Sequence, residues 1–215
     1  MKTVYLVRHG ESTENVRSTP VFVGGAAELT DLGREQARRI AERAQRLPIE
    51  TIVASPYVRA RDTAAVIAES TGLGIVESEL FIEHKAPTSF IGREWSDEFR
   101  ADFKKWQNVA YVEGEKYEDG DNFETMRDRA SRALDFLLER KEENILVVTH
   151  GMFTRVMVGL VMLQEAFLPE DLKKLEHTLI TRNTGITVIR HGSDDSRKNA
   201  NDWHMLTWND HAHLG

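Results

Sequence analysis

The sequence carries the triplet Arg-His-Gly twice, each time at the end of an apolar, β-branched run. Residues 8–10 follow TVYLV and lead into ESTEN, whose hydroxyl and amide groups can donate hydrogen bonds to an anion. Residues 190–192 follow ITVI and lead into the acidic SDDS, which would repel a phosphate. The first triplet is therefore the candidate for phosphate chemistry, and the second, with His191, is expected at a solvated hairpin tip.

A further histidine stands in an equivalent place. His150 and Gly151 close the apolar run NILVVTHG, and a glycine at that point lets the backbone approach a ligand closely. Arg59 lies in the first turn of the helix expected after ETIVAS, where free backbone N–H groups favour an anion. The planar guanidinium group of arginine can also donate two hydrogen bonds at once to phosphate oxygens. A phosphate pocket is therefore predicted beyond the strand ends, formed by Arg8, His9, Arg59 and His150.

Apolar runs and helical patterns alternate along the chain. TVYLV, ETIVAS, GIVES and NILVVTHG predict strands covered on both faces. Helices are expected after Thr30, after Ser55 and Pro56 as N-cap and first helical residue, and after an Asp121–Glu124 capping box. GITVIRH and WHMLTW predict an antiparallel hairpin. The predicted fold class is an α/β, three-layer α/β/α sandwich with a mostly parallel central sheet and an antiparallel edge hairpin.

The pattern changes between about residues 80 and 120. This segment has helix-like pieces and no clear strand, so a small, mainly helical insert over one edge of the sheet is expected. Its aromatic residues at 95, 99, 103 and 106 recur at helical spacing and are expected to pack the insert onto the body. The 215 residues are therefore predicted to form a single domain with this insert.

Composition excludes several classes of protein. The net charge of −7 argues against a nucleic-acid or acidic-membrane surface, and the lack of cysteine excludes disulfides and thiolate chemistry. The longest apolar run, VMVGLVML, is far shorter than the roughly 20 residues that span a membrane. With no secretory signal pattern at the start, a cytoplasmic location is expected. The oligomeric state is left open, with a homodimer as one option.

Four ordered motifs together make a specific resemblance. LVRHGESTEN, ELTDLGREQA, SPYVRARDTA and VVTHG, in this order, resemble the histidine phosphatase superfamily, the phosphoglycerate-mutase-like proteins. The resemblance implies that His9 is the nucleophile and that Arg8, Arg59 and His150 hold the phosphoryl oxygens. It also implies polar contacts from Ser12 and Asn15 and a proton donor at Glu83.

The sequence after Glu83 departs from the family pattern around the proton donor. The family usually has a glycine four positions after its acid and then a Trp-Glu-Gly stretch, whereas Pro87 and IGREW stand here. Glu77 and Glu79 lie close by, and Glu79 is the alternative donor. In the insert, Lys85 and Arg93 are weaker candidates for reading the rest of the substrate.

Two further basic features favour structural roles. Arg61 is two positions from Arg59 and therefore faces elsewhere on the helix. His211 and His213 could contribute to a metal site, but no third ligand is clearly placed to complete it. No metal and no cofactor are expected.

The resulting prediction is a metal-independent phosphatase that hydrolyses a small phosphomonoester through a phosphohistidine on His9. A phosphoglycerate-type mutase is the first alternative, although the insert is modest and Glu14 stands where the family's mutases have an aromatic residue. A catalytically silent phosphate-ligand binding protein on the same fold is the second.

Overall fold

Among residues 1–16, 19–193, 199 and 202–215, which the computed structural model describes, six strands form one sheet. They are β1 (Lys2–Arg8), β2 (Thr51–Ala54), β3 (Ile75–Glu77), β4 (Asn144–Thr149), β5 (Ile186–His191) and β6 (Trp203–Asp210). Their order is β3-β2-β4-β1-β5-β6. β1 to β4 pair in parallel, and β5 is antiparallel to both β1 and β6. The predicted mostly parallel sheet with an antiparallel edge is confirmed.

Helices cover both faces of this sheet. They are α1 (Thr13–Val16), α2 (Asp31–Ala44), α3 (Val58–Thr71), α4 (Asp97–Val109), α5 (Phe123–Glu139), α6 (Gly151–Leu163) and α7 (Pro169–Thr178). Alternate residues of β4 point to opposite faces: Val147 packs in a core with α5 and α6, and Leu146 in a core with α2 and α3. This is the predicted three-layer arrangement. No helix among the described residues is both long and apolar enough to cross a membrane.

The segment between β3 and α5 contains short 3₁₀ turns and α4. Its aromatic residues form a separate cluster in which Phe90, Phe99 and Trp106 are buried together with Phe22 from the loop after α1. The predicted packing of the insert aromatics is therefore confirmed. Sequence spacing did not indicate that Phe103 and Trp106 also face a cavity.

Two helix starts differ from the sequence predictions. α3 begins at Val58 with Tyr57 as N-cap, so Ser55 and Pro56 precede the helix instead of opening it. The capping box of α5 joins Asn122 and Thr125, one residue later than predicted. In both cases the polar side chain expected to cap the helix is used elsewhere, because Ser55 contacts a histidine and Asp121 contacts Arg129.

The second triplet lies at the opposite end of the sheet from the first. β1 and β5 pair so that Lys2 is opposite His191, which places His191 about 20 Å from Arg8 at roughly 3.3 Å per residue. The ring of His191 packs against Trp203 with centroids 5.4 Å apart. The expected hairpin tip at residues 194–198 lies outside the described residues.

The loop after the first triplet is held by glycines that allow two backbones to touch. Thr30 caps α2 by accepting a hydrogen bond from the Gly33 backbone N–H, as the sequence predicts. A Cβ at Gly33 would lie 2.0 Å from the carbonyl oxygen of Glu11, and one at Gly10 would lie 2.5 Å from that of Gly33. No side chain fits at either point, so the first turn of α2 fixes the course of residues 10 and 11.

This contact predicts the outcome of a single substitution. Alanine normally stabilises a helix relative to glycine by about 0.5–1 kcal/mol, but Gly33→Ala must displace the backbone of Glu11. We expect Gly33→Ala to lower the free energy of unfolding by about 1 kcal/mol or more in urea denaturation. Gly74→Ala is the matched control, because a Cβ there would have nothing within 4 Å. A Gly33→Ala protein as stable as the wild type would contradict the contact.

Candidate active site

His9 and His150 come together because their strands are neighbours. β1 and β4 pair in parallel up to Arg8 opposite Thr149, so the next residue of each chain emerges at the same edge of the sheet. The backbone N–H of His9 donates to the Thr149 carbonyl oxygen at 3.0 Å. The two imidazole centroids are 5.1 Å apart, and both side chains are buried. The sheet order thus places the two imidazoles side by side.

Two hydrogen bonds assign the proton on the His9 ring. Nδ1 lies 2.7 Å from the carbonyl oxygen of Gly10, which can only accept, so Nδ1 carries the hydrogen. Nε2 lies 3.1 Å from Nε of Arg59, which can only donate, so Nε2 accepts. The ring is therefore a neutral imidazole whose lone pair is on Nε2. Nε2 is the atom suited to nucleophilic attack, and Arg59 contacts it directly.

His150 is held by one ring nitrogen and leaves the other without a partner. Its Nε2 lies 2.8 Å from the hydroxyl of Ser55, the residue that follows β2. Its Nδ1 is buried and has no hydrogen-bond partner within the described residues. A buried polar atom without a partner is costly in a folded protein. Nδ1 of His150 is therefore a candidate contact for a bound ligand.

Both predicted arginines reach the same place from different elements. Arg8, at the end of β1, donates to the Thr181 carbonyl oxygen at 2.5 Å, and its buried Nε has no partner within the described part of the chain. Arg59, in the first turn of α3, donates to the Gly24 carbonyl oxygen at 3.0 Å and lies over the Tyr57 ring. The structure thus brings the four predicted residues close together, with Arg8, His9 and Arg59 on the cavity wall and His150 fully buried behind it, beside His9.

Burial and the two guanidinium groups keep the imidazoles uncharged. Burial, with the positive charges of Arg59 and Arg8, holds the pKa of His9 well below its usual 6.5. Burial and the charge of Arg59 likewise hold the pKa of His150 well below that value. Burial lowers the pKa of both arginines below its ordinary value. A positive pocket with two neutral imidazoles favours a bound anion and an unprotonated nucleophile.

Glu83 extends from the insert to the start of α6. Its carboxylate accepts hydrogen bonds from the backbone N–H groups of Met152 and Phe153, at 3.2 and 3.0 Å, and from that of His84 at 3.0 Å. The N-terminus of a helix favours negative charge, so this position suits an ionised carboxylate. Arg129 fixes the backbone here by donating to the Glu83 carbonyl oxygen at 3.2 Å.

Of the nearby acids, Glu83 lines the central cavity, whereas Glu77 and Glu79 are exposed. The structure therefore favours Glu83 over Glu79 as the acidic residue of the site.

The loop after the triplet uses its polar residues in two ways. Ser12 is fully buried and is not part of the cavity wall; its hydroxyl donates to Oδ1 of Asn15 at 3.2 Å. Asn15 lies on the cavity wall, and its Oδ1 also accepts from Asn183 at 3.2 Å. Asn183 in turn donates to the carbonyl oxygen of His9 at 2.9 Å. The predicted polar contact to a ligand is thus open to Asn15, while Ser12 positions Asn15.

A cavity of about 650 Å³ lies over these residues. Its floor includes Arg8, His9 and Arg59, and Gly151 lies on its wall beside Arg8. Other parts of the wall are apolar or aromatic: Phe22, Tyr57, Ile91, Phe103, Trp106, Met152, Leu179 and Ile180. The cavity is much larger than a phosphate ion, so it has room for the group that a phosphate is attached to.

Sequence reasoning missed three charged or polar residues that help build this cavity. Arg155, four residues after Gly151, donates from two nitrogens to the Leu179 carbonyl oxygen at 3.1 and 2.8 Å. Glu176 on α7 also lines the wall. Asn183 is close to His9 only because β5 pairs with β1. The four-residue spacing between Gly151 and Arg155 predicts that both lie on the same face of α6. No spacing in the sequence indicates Glu176 or Asn183.

Of the remaining basic candidates, Lys85 reaches the cavity, whereas Arg61, Arg93 and His213 do not. Lys85 lines the cavity, whereas Arg93 is paired with Asp102 at 3.0 Å and is not part of the wall. Arg61 is exposed, as its helix position predicts. His213 contacts Thr184 through Nε2 at 3.1 Å and Arg43 through Nδ1 at 3.3 Å. Its two ring nitrogens are therefore used in contacts that bind the end of the chain to the body.

Comparison with known proteins places these features in a family. The sequence model of the histidine phosphatase superfamily (branch 1) matches residues 4–210. A protein from Erwinia tasmaniensis named "Probable phosphoglycerate mutase GpmB" is 30% identical over 217 residues, covering 100% of this chain and 95% of its own.

Solved structures show the same fold. A putative alpha-ribazole-5'-P phosphatase from Escherichia coli aligns with a TM-score of 0.76 at 19% identity, covering 97% of this chain and 96% of its own. Phosphoserine phosphatase from Entamoeba histolytica, in complex with 3-phosphoglyceric acid, aligns with a TM-score of 0.73 at 20% identity over 100% of both chains. At these identities the solved structures establish the fold alone.

The lowered pKa values of His9 and His150 predict how stability depends on pH. In the unfolded chain each imidazole has an ordinary pKa of about 6.5, so below that pH the unfolded chain binds more protons than the folded protein. The free energy of unfolding should therefore fall as the pH drops below about 6.5, by up to ~1.4 kcal/mol per pH unit for each histidine. His9→Gln and His150→Gln should each flatten this slope in urea titrations. A double variant with the wild-type slope would contradict the assignment.

Proposed function

Because the chain belongs to the histidine phosphatase superfamily, we propose that it is a phosphatase that hydrolyses a small phosphomonoester through a phosphohistidine on His9. The observation that carries this proposal is the pair of contacts on the His9 ring. Nδ1 donates to the Gly10 carbonyl oxygen, and Nε2 presents its lone pair to Arg59 at the floor of the cavity. A neutral, oriented imidazole beside two guanidinium groups is what attack on a phosphoryl dianion requires.

Binding of the phosphate and release of the nucleophile are one event in this mechanism. Nε of Arg59 exchanges its contact with His9 Nε2 for a phosphoryl oxygen, which frees the lone pair to face phosphorus. Nε of Arg8, buried without a partner among the described residues, gains a phosphoryl oxygen as acceptor. If the Ser55 hydroxyl donates to His150 Nε2, the hydrogen of His150 is on Nδ1. Nδ1 then donates a third hydrogen bond to a phosphoryl oxygen.

Transfer then proceeds in two steps. His9 Nε2 forms a bond to phosphorus while the bond to the ester oxygen breaks, and the leaving oxygen takes a proton from Glu83. The negative charge that spreads over the equatorial oxygens is stabilised by Arg8 and Arg59. Water then attacks the phosphohistidine, Glu83 accepts a proton from that water, and orthophosphate leaves with His9 neutral again. The backbone N–H groups of Met152 and Phe153 hold the Glu83 carboxyl group in place for both steps.

A mutase is the second candidate, supported by the 30% identical relative named probable phosphoglycerate mutase. In that reaction the phosphohistidine transfers its phosphoryl group to the free hydroxyl of a monophosphate, which gives a bisphosphorylated intermediate, and the histidine then takes back the other phosphoryl group. Glu14, on the cavity wall, weighs against a mutase. Its carboxylate accepts hydrogen bonds from the backbone N–H groups of Val23 and Gly24, and its charge acts to raise the pKa of Arg59. A negative charge at this place disfavours a second phosphate.

The identity of the nucleophile is tested by brief exposure to p-nitrophenyl phosphate or a radiolabelled phosphomonoester, followed by mass spectrometry of peptides. We expect acid-labile phosphate on His9, and His9→Ala should lower kcat/KM by about 10³-fold or more. His191→Ala is the matched control from the second triplet and should keep both label and rate. Activity undiminished by EDTA is expected. Label on a serine, or phosphoglycerate isomerisation that depends on a bisphosphorylated primer, would contradict the phosphatase proposal.

The role of Glu83 as proton donor is tested by varying the leaving group. Glu83→Gln should lower kcat/KM by about 10²–10⁴-fold for an alkyl phosphate, whose alkoxide needs a proton. The loss should be much smaller for p-nitrophenyl phosphate, whose phenolate does not, and kcat/KM reports only the steps up to the phosphohistidine. Glu79→Gln, on the exposed neighbouring turn, should match the wild type on both substrates. An equal loss for both esters in Glu83→Gln would exclude the donor role.

A further inference from the structure

Glu176 is an acidic group on the cavity wall that the proposed hydrolysis does not use. It lies in the last turns of α7, and its Oε2 accepts a hydrogen bond from the hydroxyl of Tyr111. No salt bridge joins Glu176 to another residue in the described part of the chain. Tyr111 thus fixes one oxygen of the carboxylate and leaves Oε1 for a ligand.

The environment of Glu176 is unfavourable for a lone negative charge. The side chain is partly buried, and this burial raises its pKa above the usual 4.5, although the charge of His177 opposes the shift and that of Glu83 adds to it. A cationic group on a ligand beside Glu176 would offset that cost, whereas a carboxylate there would add to it.

The cations of the same wall do not compensate a carboxylate near Glu176. Arg8 and Arg59 lie at the phosphate end. Nη1 of Arg155 and Nε of Arg8 both flank Gly151, so the charge of Arg155 belongs to that end as well. Nζ of Lys85 lies 3.5 Å from Oδ2 of Asp119, so its positive charge is already paired with a carboxylate. A substrate carboxylate away from the phosphate would therefore meet the negative charges of Glu14 and Glu176.

Apolar groups form much of the rest of the wall. Trp106 is stacked on His84 with centroids 4.1 Å apart, and Phe103 packs against Trp106 at 5.1 Å. These three side chains come from the insert and line the cavity. An aromatic or aliphatic body between the phosphate and a terminal polar group fits this surface.

We propose that Glu176 is a specificity-determining residue that selects phosphomonoesters whose leaving group has an apolar body and a cationic amine, and that disfavours leaving groups with a carboxylate. This inference rests on the proposed phosphatase activity and adds a substrate class to it. Phosphoglycerate, which has neither an apolar body nor an amine, is a poor match for such a site.

Three esters that share one phenyl ring and a two-carbon arm, but differ in the charge at the end of that arm, test the proposal. They are O-phosphotyramine, para-ethylphenyl phosphate and para-(carboxyethyl)phenyl phosphate, which carry a positive, a neutral and a negative group on the same ring. At a pH well above the usual carboxyl pKa, the wild type should turn over the amine with a kcat/KM about tenfold or more above that of the carboxylate, and the neutral ester should lie between.

Glu176→Gln should reduce that amine-to-carboxylate ratio to within about threefold of unity, because it removes the charge and keeps the shape. Glu170→Gln, an exposed acid on the same helix, should keep the wild-type ratio. Tyr111→Phe releases the carboxylate without removing it and should lower the ratio partially, which gives a second reading if Glu176→Gln unfolds. A wild type that prefers the carboxylate, or a ratio unchanged in both site variants, overturns this inference alone. Failure to turn over any of the three esters overturns the phosphatase proposal instead.

Discussion

The structure depends on one constraint: the buried guanidinium group of Arg59 and the partly buried one of Arg8 lie beside two buried imidazoles. A charged group out of water needs partners, and the protein supplies carbonyl oxygens at Thr181 and Gly24. The same positive charges make a protonated imidazole too costly, so His9 and His150 are held neutral. An anion between these groups offsets the repulsion between the two guanidinium charges. It also accepts hydrogen bonds from Arg8 Nε and His150 Nδ1, which otherwise lack partners among the described residues. The architecture around the site can be understood as the means of maintaining this unfavourable grouping.

The sheet order is the first of those means. Adjacent parallel strands β1 and β4 bring the two histidines to one edge, and the antiparallel β5 brings Asn183 back to the carbonyl oxygen of His9. The second is the start of α6, whose free N–H groups hold Glu83 over the pocket although that residue comes from the insert. Rigid elements with fixed hydrogen bonds hold each of these groups in place, which is the preorganisation that electrostatic stabilisation of a transition state in the proposed reaction requires.

The sequence predicted the parts of this arrangement that local rules determine. His9, His150 and Arg59 follow strands whose β-branched runs are unambiguous, and strand ends of a parallel sheet meet at one edge. Ser55 was assigned to a helix cap because capping propensity is local, whereas its contact with His150 depends on the pairing of β2 with β4. Glu176 and Asn183 were missed for the same reason. Their positions follow from how α7 and β5 pack, which no spacing in the sequence encodes.

The segment at residues 183 and 184 connects the site to a distant part of the chain. The backbone N–H of Thr184 donates to the Arg8 carbonyl oxygen at 2.8 Å, and its hydroxyl meets His213. Thr184 has φ of 58°, a strained conformation that those contacts must maintain. Loss of the His213 contact would therefore relax a left-handed turn and, through Asn183, weaken the hydrogen bond to the carbonyl oxygen of His9. In the proposed reaction such a change would lower the rate as an active-site substitution does, although His213 is not part of the cavity wall.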